Sequence, residues 1–169
     1  MGSADKAERL LRVACAACAL AMIPLSLRPW LNIHWSSGFP PGSGTARISG
    51  DDLPGLTDFG DDWIVIVVAI AAALVAAASF ASRYARPLAG PMFALLALSV
   101  LVVTGYDAAH DWRSDYGFQP HVNISEVNVS LPLWGVLALS VPLFLGGLIL
   151  VVWRNGRGMA KFQPDTGQA

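Results

Sequence analysis

The residues with chemistry to offer are three histidines and a scatter of carboxylates. His34, His110 and His121 stand in stretches that also carry Asp51, Asp52, Asp58, Asp61, Asp62, Asp107, Asp111, Asp115 and Glu126. Neutral imidazole with carboxylate is an ordinary ligand set for zinc or copper. The spacing argues against it, since the chain has no His-x3-His pair for a helix to present and no Cys/His run. Asp61-Asp62 and Asp107/Asp111 could pose as acid/base pairs for hydrolysis. Carboxylates just ahead of an apolar helix, however, are favoured by the positive end of its dipole, and the others read as loop solvation. Cys15 and Cys18 fall in one apolar segment and read as small packing residues rather than a redox or metal pair. The expectation is no metal, no cofactor and no catalytic residue.

What must position these residues is four apolar stretches without a charged side chain, at 13–27, 63–82, 87–106 and 131–153. Helices of about 20 residues cross a hydrocarbon core of roughly 30 Å. The last three stretches meet that length, and the first does once Leu10, Leu11 and a snorkelling Arg12 are added. Hydrophobic residues make up 54% of the chain and charged ones 14%, with the charges confined to the gaps, so one membrane domain accounts for residues 1–169. The expected fold is all-α membrane: a four-transmembrane-helix bundle with helices at about 10–28, 63–82, 87–106 and 131–153 and outer loops at about 29–62 and 107–130. Pro24 is followed by Leu25, Ser26, Leu27 and Arg28 rather than a small-residue cleavage site, so the first segment reads as a retained helix.

Charge sets the orientation. Lys6, Arg9, Arg12, Arg83, Arg86, Arg154, Arg157 and Lys161 fall on one side, eight of the eleven basic residues, against Asp5, Glu8 and Asp165. The other side holds Arg28, Arg47 and Arg113 against the nine carboxylates named first. Both termini are thus expected to be cytoplasmic, in the plasma membrane, with membrane lipid as one partner and no nucleic acid. Aromatic belts agree: Trp30, Trp35, Trp63, Tyr106, Trp112, Tyr116 and Trp134 gather near the outer interface, and Tyr84 and Trp153 near the inner one.

Loop one contains Ser36-Ser37-Gly38-Phe39-Pro40-Pro41-Gly42-Ser43-Gly44, a turn or linker composition, then a short strand candidate, Thr45-Ala46-Arg47-Ile48-Ser49-Gly50. In loop two, residues 121–130 alternate β-branched and polar side chains as a half-buried strand does. If this strand pairs with the Arg47 segment, the outer face carries a small hairpin or sheet stitched from both loops; helical continuation of span three through Trp112 is the competing reading of the first half. Asn123-Ile124-Ser125 and Asn128-Val129-Ser130 match glycosylation acceptors, without meaning in a bacterial protein, which the Ala/Gly/Val/Arg-rich usage suggests. His34-Trp35-Ser36-Ser37-Gly38-Phe39 weakly echoes Asp111-Trp112-Arg113-Ser114 with Tyr116-Gly117-Phe118; a duplication would be parallel, unlike the inverted repeats of many transporters.

Inside the spans the hydroxyls Ser79, Ser99, Thr104 and Ser140 read as bonding back to their own helices. Ala69, Ala73 and Ala77 on one face of span two, and Gly146 and Gly147 in span four, read as close helix contacts. Pro91 lies near the start of span three, whereas Pro142 should kink span four.

Several motifs together resemble the layout of small actinobacterial four-helix membrane proteins, among them the tryptophan-operon-associated membrane proteins. They are Pro29-Trp30, Ile48-Ser49-Gly50-Asp51-Asp52-Leu53, Gly60-Asp61-Asp62-Trp63 and Val127-Asn128-Val129-Ser130-Leu131-Pro132-Leu133-Trp134. Asp62 stands where that pattern has Gly. The resemblance implies a topology and carries over no catalytic residue. The expected function is a non-enzymatic accessory or scaffold subunit that binds a larger integral membrane protein or itself. Its interaction surface would comprise Asp61, Asp62, Trp63, His110, Asp111 and Trp112 on the outer loops. The alternative is a homo-oligomeric small-solute or lipid conduit; a membrane enzyme using His110-Asp111 ranks third.

Overall fold

The computed structural model describes residues 3–38, 41–48, 61–110 and 122–160. Helix α1 spans Ser3–Ser26 and is followed by strands β1, Leu31–Gly38, and β2, Pro41–Ile48. Helices α2, Asp61–Ala81, and α3, Arg86–Ala109, precede strand β3, Val122–Val129, and helix α4, Leu131–Ala160. All four helices are long and apolar enough to cross a membrane, over Asp5–Ser26, Asp61–Ala81, Arg86–Ala109 and Leu131–Asn155.

The buried positions explain why these helices form a bundle. On α1 they are Arg12, Cys15, Ala19, Met22 and Ser26; on α4 the seam runs Leu133, Val136, Ser140, Leu143, Gly147 and Leu150, with Gly146 buried beside it. Both series alternate steps of three and four, the seam that packs helices at shallow crossing angles. On α3 the seam runs Ala89, Phe93, Ala97, Val100, Thr104, Asp107. The helices close a ring in which α1 packs on α2 and α4, and α3 on α2 and α4. Large apolar side chains such as Val13, Leu74, Leu95 and Val152 point outward. Spread over every helix, such a surface suits hydrocarbon and would associate in water.

Two sequence expectations are corrected inside the bundle. Arg12 does not snorkel: it is 4% exposed, ion-paired to Glu8 at 2.5 Å and donating to the Ser79 carbonyl at 3.1 Å, with its guanidinium over the Phe80 ring. It falls on the α1 seam, so extending to the interface would mean leaving the core, and it instead bonds one of the last carbonyls of α2. On α2 the close-packed alanines are Ala69, Ala72 and Ala76, while Ala77 is exposed. The seam follows the 3.6-residue period rather than a strict repeat of four. The span hydroxyls do bond back: Ser79 to the Ala76 carbonyl, Ser99 to Leu96, Thr104 to Val100 and Ser140 to Leu137. Helix α3 runs past Tyr106 to Ala109, and His110 leaves the helix with extended backbone angles. Trp112 lies outside the described residues.

The two loops do share a sheet, but its order is β2-β1-β3, so β1 separates the two segments expected to pair. Antiparallel pairs run from Leu31↔Ile48 to Gly38↔Pro41 on one side and from Leu31↔Val129 to Ser37↔Val122 on the other, with an irregularity between His34 and Trp35. The Ser/Gly/Pro composition of 36–44 therefore belongs largely to strand ends, and only 39–40, outside the described residues, connects them. Gly44 makes this possible at one point, because a side chain there would meet the Trp35 indole at 3.1 Å. Leu31, Ile33, Ile48, Val127 and Val129 share one face. Leu31 and Ile33 are buried, and Leu31, Ile48, Val127 and Val129 join the core cluster that contains Val65, Leu133 and Val136. The sheet thus caps one end of the bundle.

Candidate functional site

The sheet end gathers the carboxylates. Asp61 opens α2 and Asp107 lies in the last turn of α3, and both are fully buried. Each sits on its helix's inward seam: Asp61 is four residues before Val65, and Asp107 three after Thr104. The two buried carboxyls lie close enough to interact by charge. The carboxyl of Asp61 benefits from the positive end of the α2 dipole, whereas that of Asp107 stands at the unfavourable end of α3. Asp107 is therefore not a loop-solvating residue. It is buried inside the bundle on the side of α3 that meets Asp61, and its place in the Ala89–Thr104 series was the available signal.

The residues expected to form one surface separate. Asp62 is 6% exposed and its Oδ1 accepts the Trp63 amide at 2.8 Å. Trp63, by contrast, is 55% exposed on the outside of α2, where it and Ile64, Val67 and Val68 line an apolar groove of about 480 Å³. His110 is half-buried and packs on Tyr106 with ring centroids 5.0 Å apart. Asp111 and Trp112 lie outside the described residues, as does His121. Among the described residues, no three His, Cys, Asp or Glu side chains come together to hold a metal.

A different polar array stands on the far face of the sheet. Cross-strand registers align Arg47, Asn32 and Asn128 in one row and Thr45, His34 and Glu126 in the next. His34 Nδ1 and Thr45 Oγ1 are 3.1 Å apart, and His34, Asn128 and Glu126 are exposed. This face was not foreseen because β1 was not. The alternation Leu31, Asn32, Ile33, His34, Trp35 carried the signal, overshadowed by the glycines and prolines that follow.

The acid pair gives a direct prediction. Asp107→Asn keeps the side chain's shape and a polar group beside Asp61, and is expected to leave thermal stability within about 1 kcal/mol of wild type. Asp107→Ala removes the polar group and leaves a cavity, and is expected to cost about 2–4 kcal/mol. Melting curves of the purified variants in detergent check this; equal losses would show that a polar group at this position is immaterial.

The fold defines a class: a four-helix bundle with every helix long and apolar enough to cross a membrane, capped at one end by a three-stranded sheet. No protein-family model matches the chain, and no curated protein does.

Proposed function

We propose that the protein is a non-enzymatic accessory or scaffold subunit of the plasma membrane, with both termini cytoplasmic, that binds a larger integral membrane protein at its sheet end. The observation that carries this reading is the sheet itself. Strands from both loops are joined through β1 and packed on the bundle, so the Arg47–Asn32–Asn128 and Thr45–His34–Glu126 rows form a platform with little freedom to lose on binding. The Trp63 groove beside it offers apolar surface to a partner helix. The resemblance of its motifs to those of small actinobacterial four-helix membrane proteins fits such a role. A conduit through one copy is disfavoured by an interior filled with Met22, Phe93, Val100, Leu133 and Leu143; a path would have to run between copies.

Photo-crosslinking residues placed at Asn32, Glu126 and Trp63 in the native membrane test the proposal. One stoichiometric protein adduct from the sheet positions is the expected result. A protein that purifies alone, monodisperse and without adducts at all three positions, would overturn it, and an adduct of twice the chain mass would favour self-association.

A further inference from the structure

At the opposite end, where α1 begins and α4 ends, Glu8, Arg86, Pro87, Gly90, Leu150 and Arg154 line a half-enclosed cavity of about 210 Å³. That is several water volumes of ~30 Å³ each, room for a phosphodiester head. Its lining sets two arginines against one glutamate. Glu8 is ion-paired to the buried Arg12, whereas Arg86 and Arg154 are exposed at the mouth. Arg154 Nη1 donates to the Pro87 carbonyl at 2.8 Å, which uses one of five guanidinium donors and holds the group in place. Arg86 begins α3, whose N-cap, Ala85, has no side-chain cap and whose first turn carries Pro87; the positive end of that helix dipole faces the same region. Two of the lining residues, Gly90 and Leu150, are apolar and buried. Neighbouring positions on the two helices, Leu88 and Val152, are 60% and 66% exposed, a surface for acyl chains beside the charged mouth.

We propose that this cavity binds the phosphate of an anionic phospholipid, with Arg86 and Arg154 as its ligands and the outward α3 and α4 surfaces taking the chains. A free phosphate shares the headgroup chemistry but would make no use of the apolar flanks. Two guanidiniums on one phosphate form charge-assisted hydrogen bonds, so each arginine should contribute roughly tenfold in affinity.

Native mass spectrometry of the whole protein, delipidated in detergent and titrated with phosphatidylglycerol, phosphatidylcholine or inorganic phosphate, tests this. The expected result is retention of phosphatidylglycerol over phosphatidylcholine, reduced on the order of a hundredfold in Arg86→Gln/Arg154→Gln. Arg154→Lys should be intermediate, because it keeps charge without the planar fork. Arg83→Gln, a control at the same end whose guanidinium meets Tyr84 instead, should match wild type. Equal retention of both lipids, or an unchanged double variant with a normal melting curve, would overturn the proposal. Binding of inorganic phosphate without lipid selectivity would overturn the lipid assignment.

Discussion

Gly147→Val is expected to separate α3 from α4 and to lower the melting temperature in detergent by roughly 5–10 °C, corresponding to about 2–3 kcal/mol for a chain of this size. A Cβ at Gly147 would stand 2.6 Å from the Ala94 nitrogen, 2.8 Å from the Gly90 oxygen and 3.1 Å from the Ala94 Cα. All three are backbone atoms of α3, so no rotamer change relieves the clash and the helices themselves must move. Such movement opens the seam along which Phe93, Ala97 and Val100 meet the neighbouring helices, and in lipid close packing is the main force between helices. The glycines beside it grade the effect. At Gly146 the obstructing atom is the Cys15 Sγ at 2.6 Å, a side chain that can turn, so Gly146→Ala should cost less than Gly147→Ala. At Gly105 nothing lies within 4 Å, so Gly105→Ala should be neutral or stabilising by up to about 1 kcal/mol, from helix propensity. If Gly147→Val melted with Gly105→Ala, the close approach of α3 and α4 would not be limiting stability.

What the sequence made legible follows from how each signal is written. Uninterrupted apolar runs of twenty residues specify spans almost regardless of detail, and all four helices lie where those runs are. The Gly146-Gly147 contact was legible for the same reason, since two adjacent glycines inside a span have little use except close approach. Single charged residues near span ends were not. Arg12 and Asp107 each look like an interfacial or loop residue in the linear sequence, and only their phase on the helix, three or four residues from a buried neighbour, places them inside. Phase also divides the expected surface residues. Consecutive helical positions are about 100° apart, enough to bury Asp62 and expose Trp63 although they are adjacent in sequence. Strand β1 was hidden differently: its apolar-polar alternation is short and runs into a glycine- and proline-rich stretch whose usual meaning is a turn.

The polar residues that escaped the sequence reading share a role. Near one end Arg12 of α1 reaches across to the Ser79 carbonyl of α2; near the other, the buried carboxyls of Asp107 on α3 and Asp61 on α2 interact by charge. Helix α2 thus meets a polar group of a neighbour at its first residue and in its last turn, while its middle packs through alanine and valine. Polar contacts in lipid contribute modestly, about 0.6–2 kcal/mol each, but they fix rotation and register where small apolar side chains do not. A bundle with polar contacts near both ends gives the sheet a base of defined register.

The platform's own attachment rests on Trp30, and Trp30→Ala is expected to detach the sheet while leaving the helices formed. Trp30 is 0% exposed and stands first among the largest fully buried side chains. Its backbone is a junction: the amide donates to the Ile48 carbonyl at the end of β2, and its carbonyl accepts the Ser130 amide just before α4, both at 2.8 Å. The Ser130 hydroxyl bonds the adjacent Pro29 carbonyl as well. Removing the indole leaves a cavity in the core cluster that Trp30 shares with Leu31, Val65, Leu133 and Val136, at a cost of about 3–5 kcal/mol. Trp30→Phe should cost much less, because the ring volume is largely kept and the indole N–H has no hydrogen-bond partner among the described residues. The measurement is limited trypsin digestion in detergent, read by mass at Arg47 in β2, alongside far-UV circular dichroism. In wild type and Trp30→Phe the Arg47 bond should be protected by pairing with β1; in Trp30→Ala it should be cut at least tenfold faster with helical signal retained. Equal cutting in all three would show that the sheet holds without Trp30. Loss of helical signal in Trp30→Ala would show that sheet and bundle fold as one unit, with the tryptophan at the centre of both.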